Sequence, residues 1–222
     1  MLQSFKMRRS DTTSLNTFTR SNVIMSFSSS PGSSPVTTII LPVSSTWTSG
    51  LHWHETHTEY LEVSSGAAWV SLDGVSQVVT SADGPITVPK FARHEWRRPR
   101  RDEYPHPEAA DVELVVREWT DPADGQKEIF FRNLNSVIID TMGPGRDGMI
   151  DELWLTLQLF VIFYRLDNYP VLWNMKRPGK INFVLQRISA HCLLWFAMVA
   201  GKVLGAREAY DEYTPRELIK KL

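Results

Sequence analysis

The chain is poor in cysteine. Cys192 is the only one in 222 residues, which excludes an internal disulfide framework and any multi-cysteine zinc or iron–sulfur centre. Charge of one sign is not in excess either. Its 24 basic residues meet 25 acidic ones for a net charge of −1, and that excludes a dedicated nucleic-acid binder with a basic surplus. Long hydrophobic runs are scarce. Residues 153–164 and 188–201 carry no charge, but both fall short of the roughly 20 residues a spanning helix needs. They are expected to pack over the rest of the fold, with docking on a membrane surface as the alternative. No apolar run follows the early basic residues, so no secretory signal is expected. The sequence also lacks the G-x-S-x-G, H-E-x-x-H and P-loop patterns. The run Gly143-Pro144-Gly145-Arg146-Asp147-Gly148 satisfies G-x-G-x-x-G literally, but a helical pattern precedes it and no parallel strand follows, so a dinucleotide fingerprint is rejected.

What is present is enough for an ordinary packed core: 42% hydrophobic residues, among them eight Trp. Residues 1–35 are rich in Ser and Thr, with Lys6, Arg8, Arg9 and Arg20 against one acid, Asp11. This composition predicts a disordered tail, a start that lies too early (Met25 would serve in its place), or a mitochondrial transit peptide; otherwise a cytoplasmic location is expected.

From residue 36 to 120 the text reads as short strands: 36–43, 59–63, 67–72, 75–80, 86–88 and 111–119, with Asp73-Gly74 as a tight turn. Such spacing predicts a β-sandwich or barrel. The loop 97–107, with Arg97, Arg98, Arg100 and Arg101, reads as solvated. From residue 121 to 222 the period becomes helical, over 127–141, 147–166 and 182–205. Thr214-Pro215 opens a last short helix, with Thr214 as its cap and Glu217 completing a capping box. The expected architecture is an all-β barrel with a C-terminal α-helical extension packed on it.

The chemistry concentrates in Leu51-His52-Trp53-His54-Glu55-Thr56-His57-Thr58-Glu59. On a strand, His52 and His54 point to one face and can grip one ion together. Glu59 shares a face with Leu61 and Val63, which selects it over Glu62 as the inward acid. His94 lies on a later strand that can return opposite. Three imidazoles and one carboxylate suit Fe, Mn, Co, Ni or Zn. His57 is off this face and is expected at the surface or behind the ligands; His106 is expected in solvent, and His191 in a helix. Trp53 must face away from the ligands, whereas Trp96 has the parity of His94 and is the candidate aromatic for a substrate pocket.

At these residues the sequence resembles the cupin family. His52, His54, Glu59 and Gly66 fit the first cupin motif at its spacing, with Thr46 in place of its first glycine. Gly84, Pro89 and His94 follow the second, with Phe91 in place of a glycine and Arg98 in place of an asparagine. The resemblance implies a double-stranded β-helix (jelly-roll) barrel over residues 36–120. The flanks 119–133, 201–205 and 210–213 look like small single-barrel cupins of fungal biosynthetic clusters, described as oxidoreductases and associated with salicylaldehyde-type polyketide pathways. That resemblance implies a metal-dependent oxidoreductase, with Fe(II) foremost among divalent metals, acting on a small apolar metabolite such as a polyketide intermediate. Two alternatives stay open: a non-redox isomerase, dehydratase or cyclase using the metal as a Lewis acid, and a non-catalytic ligand-binding barrel. A small-molecule substrate, no nucleic acid, membrane-surface association and a homodimer complete the expected partners.

Overall fold

The computed structural model describes residues 9–20, 22–28, 35–104, 110–143, 148–173 and 180–220. Two antiparallel sheets face one another. The first runs in the order β1 (Thr17–Arg20), β2 (Val23–Ser28), β3 (Val36–Leu41), β10 (Leu114–Asp121), β5 (Thr58–Ser65) and β8 (Ile86–Val88). The second runs β11 (Tyr169–Pro170), β4 (His52–Trp53), β9 (His94–Arg97), β6 (Ala67–Leu72) and β7 (Val75–Thr80). Alternation builds the interior. In β5, Glu59, Leu61 and Val63 are buried while Tyr60 and Glu62 are only partly covered, as a period of two requires. Inward Ile39, Leu41, Val70, Val79, Leu114 and Val116 fill the space between the sheets.

Gly66 shows why the first motif ends in glycine. Its φ is +73°, and a Cβ there would sit 2.7 Å from the Glu113 carbonyl oxygen. The second motif keeps its turn without its glycine, because Phe91 itself adopts φ 68°. The Phe91 N–H donates to the His54 carbonyl at 2.6 Å, which ties this turn to the histidine loop.

Three expectations are corrected in the sheets. Residues 17–28, read by composition as part of a tail, form two strands of the first sheet, and Phe18, Val23 and Met25 are buried. Thr carries strand propensity even where Ser-rich text suggests disorder, and the alternate apolar residues decide between the two. Arg98 is not solvated: it is buried and donates to the Leu41, Ala110 and Val112 carbonyls. The strand expected to begin at residue 111 begins at Leu114.

The helices are α1 (Gln126–Thr141), α2 (Met149–Arg165), α3 (Lys180–Leu204) and α4 (Arg216–Ile219). Helix α1 lies against β1 and β3, α2 against α1 and α3, and α3 against α2 and β11. Packing over the barrel therefore holds for α1, but α3 turns a large apolar face outward. Residues Ile181–Leu204 are long and apolar enough, by length and composition, to cross a membrane, and 22% of the window is buried. The uncharged run 188–201 thus belongs to a longer helix than its charge boundaries suggest. No capping box forms before α4, because Pro215 occupies the cap position and the Thr214 hydroxyl instead accepts from the Asn133 side chain. The glycine-rich run 143–148 and His106 fall largely or wholly outside the described residues.

Candidate metal centre

The barrel brings His52, His54, Glu59 and His94 to one point. His52 and His94 are direct cross-strand partners on β4 and β9. Glu59 reaches them from β5 in the opposite sheet, and His54 from the turn after β4. Each offers one ligand atom within 4.8 Å of all the others. The ring centroids of His52 lie 4.9 Å from His54 and 4.2 Å from His94.

The hydrogen bonds fix which nitrogen of each imidazole is available. The Nδ1 of His52 meets the Gly50 carbonyl at 2.7 Å, and that of His94 the Ala92 carbonyl at 3.1 Å. The Nδ1 of His54 meets the Asp167 carbonyl. A carbonyl can only accept, so each Nδ1 carries the proton and each Nε2 presents a lone pair. These lone pairs converge on a carboxylate that is itself an acceptor. His54 Nε2 is 3.0 Å from Glu59 Oε2, and His94 Nε2, fully buried, lies 3.5 Å from Glu59 Oε1 and makes no hydrogen bond among the described residues. Acceptors aimed at one another without a proton between them are a poor internal arrangement and a good socket for a cation. Burial, with His94 and His54 beside it, holds His52 well below the usual imidazole range, hence neutral and able to ligate. Burial opposes the charge of Glu59, but the Lys127 ammonium beside it outweighs that and keeps the carboxyl well below its usual range. The donor set therefore fits a borderline divalent ion.

Around this centre lie residues that sequence reasoning missed. Lys127, from the first turn of α1, lies between two buried carboxylates: it contacts Glu59, and its Nζ is 2.9 Å from Glu118 on β10. Burial alone would lower the Lys127 pKa, but Glu118 and Glu59 together raise it, so the ammonium stays charged. The sequence did carry a signal. Lys127 lies on the same helical stripe as Phe130, Phe131, Leu134 and Ile138, where a lone lysine is out of place. Asp167, just after α2, accepts from the backbone of Glu55, Thr56 and His57 and from the Thr56 and His57 side chains. Burial pushes its carboxyl up, yet these donors hold it at about 2. One residue of the helical extension thus fastens the histidine loop through its side chain and orients His54 through its carbonyl.

Of the two places expected for His57, the surface is excluded and the one behind the ligands holds: it is buried, with its ring between Asp167 at 2.8 Å and Asp124 at 3.1 Å. His191 meets Glu55 at 3.0 Å. Trp53 faces away from the ligands as parity required, stacking on Tyr169 and donating to Glu55. Trp96 points inward as expected but does not line the cavity. It packs against Trp47 at 5.1 Å and donates to Glu118 at 2.6 Å, so Trp47 stands between it and the open space.

The cavity beside the ligand cluster, lined by His52, His54 and Glu59 of the four, has a volume of about 290 Å³. Its floor is polar, with His52, His54, Glu59 and Lys127, and its far wall is apolar, with Phe130, Phe131, Leu134, Ile138 and Phe163 from α1 and α2. The apolar wall therefore comes mainly from the helices, with Trp47 added from the barrel side.

No protein-family model matches the chain. It is 30% identical to the oxidoreductase iacF of Pestalotiopsis fici over 43% of this chain and 45% of that protein. It is 29% identical to the probable oxidoreductase virH of Hypocrea virens over 73% of this chain and 66% of that protein. The matched stretches thus span about half to two thirds of the curated relatives. Among solved structures, a cupin-2 domain from Rhodospirillum rubrum is 16% identical at a TM-score of 0.33, over 51% of this chain and 66% of that one. By its own strand order the chain is a two-sheet antiparallel β-barrel with a helical extension, its four candidate ligands converge as the cupin resemblance implies, and by sequence it is similar to fungal proteins named as oxidoreductases.

Proposed function

We propose that the chain is a metal-dependent oxidoreductase that acts on a small, largely apolar metabolite, of the polyketide kind made in fungal secondary metabolism. The observation that carries this reading is the pairing of a three-histidine, one-carboxylate socket with an apolar cavity opening directly over it. The names of the fungal relatives, iacF and virH, supply the redox class. His52, His54, Glu59 and His94 would hold the ion, with Fe(II) the first choice. Bound there, a redox-active ion supplies electron transfer and a Lewis-acid contact for a substrate oxygen. The chain's own residues do the rest. Phe130, Phe131, Leu134 and Ile138 take the apolar body of the substrate and exclude water. The Lys127 ammonium places a fixed positive charge beside the ligands, where it can hold an oxyanion of the substrate. Asp167 keeps the His54 ring in its ligating orientation.

The test is elemental analysis of protein purified without added metal, joined to oxygen uptake on candidate apolar aldehydes and phenols. About one equivalent of iron and substrate-dependent uptake are expected, and both should vanish in His52→Ala/His54→Ala. Retention of a full equivalent of metal in that variant would overturn the ligand set. Metal binding without any oxidation would overturn the redox class and leave the Lewis-acid reading.

A further inference from the structure

Helix α3 reverses the usual amphipathic arrangement. Its buried face carries Gln186, Ala190, Leu194, Ala197 and Gly201, at spacings of three and four. Most of these are small, and they let α3 approach α2 so closely that a Cβ on Gly201 would meet Val161 at 2.5 Å. The opposite face carries the large apolar residues. Ile181, Leu185, Ile188, Trp195, Phe196 and Val203 recur along one side of the helix over six turns, with Ile181, Leu185 and Ile188 spaced by four and three, Trp195 seven on from Ile188 and Val203 seven on from Phe196, and each is between 47% and 78% exposed. Together with Val184 and Val199 they amount to on the order of 1,000 Å² of apolar surface, above the few hundred that a free monomer ordinarily shows. Trp195 and Phe196 stack edge to face at 5.0 Å in the middle of this stripe.

The charge around the stripe identifies what covers it. Between Asp167 and Glu208 the sequence carries Lys176, Arg177, Lys180, Arg187, Lys202 and Arg207 and no acidic residue. In a chain of net charge −1, the whole segment that contains α3 is therefore basic and free of acid. Arg187 is partly neutralised by Glu55, whereas Lys202 is exposed beside the stripe. Two copies meeting through this face would bring two acid-free basic segments together. An anionic lipid surface complements both features: the apolar side chains enter the acyl boundary while the basic ones meet the headgroups. The helix lies on the surface instead of crossing it, because its other face stays packed on α2 and its Arg187 and His191 stay paired with Glu55. We propose that α3 docks the protein onto an anionic membrane surface, independently of the chemistry assigned to the cavity.

The test is sedimentation of the full chain with vesicles of phosphatidylcholine, with and without phosphatidylserine. Binding to the phosphatidylserine vesicles is expected, weakened about tenfold or more at high salt. In Phe196→Asp/Val203→Asp both sites are exposed, so circular dichroism should be unchanged while vesicle binding falls at least about tenfold. Absence of binding to either vesicle would overturn the proposal. So would a concentration-dependent dimer that the same double substitution dissociates, which would assign the face to a second copy. Resistance of the bound protein to high-salt and alkaline washes would show a spanning helix and overturn surface docking.

Discussion

Lys127 concentrates the energetics of the site in one side chain. Its ammonium is the counter-charge for Glu59 and Glu118, which are 1% and 3% exposed. Without it, two carboxylates face a low-dielectric interior with no cation between them. Lys127→Met should therefore cost about 3–5 kcal/mol of stability in the metal-free protein, as removal of one partner from a buried ion pair does. Replacing the pair together, in Lys127→Met/Glu118→Gln, should recover much of that loss. A divalent ion beside Glu59 would supply the missing charge, so added metal should raise the thermal midpoint of the single variant more than that of the parent. Denaturant titration and thermal melts, with and without metal, check both statements; an unaltered midpoint in Lys127→Met would refute the ledger. At this scale the sequence was half legible. The four candidate ligands stand out because their spacing is local and strand parity converts it directly into a shared face. Lys127, Glu118 and Asp167 do not, because each gains its meaning from a partner 68, 9 or 110 positions away that no local period reveals.

Elements show the same division between local pattern and long-range context. The strands of the barrel were readable because some alternate, as β3 and β5 do, and others are set off by turn residues, as β6 and β7 are by Asp73-Gly74. The first two strands were not, since Ser- and Thr-rich text suits either an edge strand or a tail. What separates the two is burial that only the folded chain supplies: Phe18 and Met25 against the core, Ser10 on Asp140, and the Thr12 N–H donating to the Glu212 carbonyl. The N-terminal strand pair therefore joins the barrel to both the first helix and the C-terminal segment. Deleting residues 1–24 removes β1 and the buried side chains of Phe18 and Val23, each worth roughly 1.5–3 kcal/mol on burial. The shortened chain is expected to lose at least about 3 kcal/mol by the same transfer scale, to bind a hydrophobic dye and to aggregate. A truncated chain with an unaltered denaturation midpoint would restore the tail reading. Helix α3 was misread for the converse reason. Apolar periodicity predicts a face to be buried, but the pattern cannot tell the side that meets the protein from the side that meets something else.

For the whole molecule, the barrel and the helices divide the work. The barrel holds the polar ligands, and α1 and α2 close over them with the apolar wall, so neither half alone forms the cavity. This is why Trp96, chosen from strand parity alone, proves to be a packing residue: it is 1% exposed and bonded to Glu118 beneath Trp47. Trp96→Ala should act on stability, by about 3–5 kcal/mol, and not selectively on substrate. The residue that should report on substrate is Leu134, which lines the cavity from α1 and is not one of the four candidate ligands. Leu134→Trp adds bulk to a space of about 290 Å³ that is only just large enough for a small metabolite. Because the ligands are anchored by the Gly50, Ala92 and Asp167 carbonyls, the metal content should remain at the parent's level. The overpacking should cost no more than about 1–3 kcal/mol of stability, while KM for any apolar substrate should rise about tenfold or more, the scale of a lost or blocked apolar contact. Equal KM values in parent and variant, with equal metal content, would mean that the substrate reaches the ligands without entering the space between the barrel and α1.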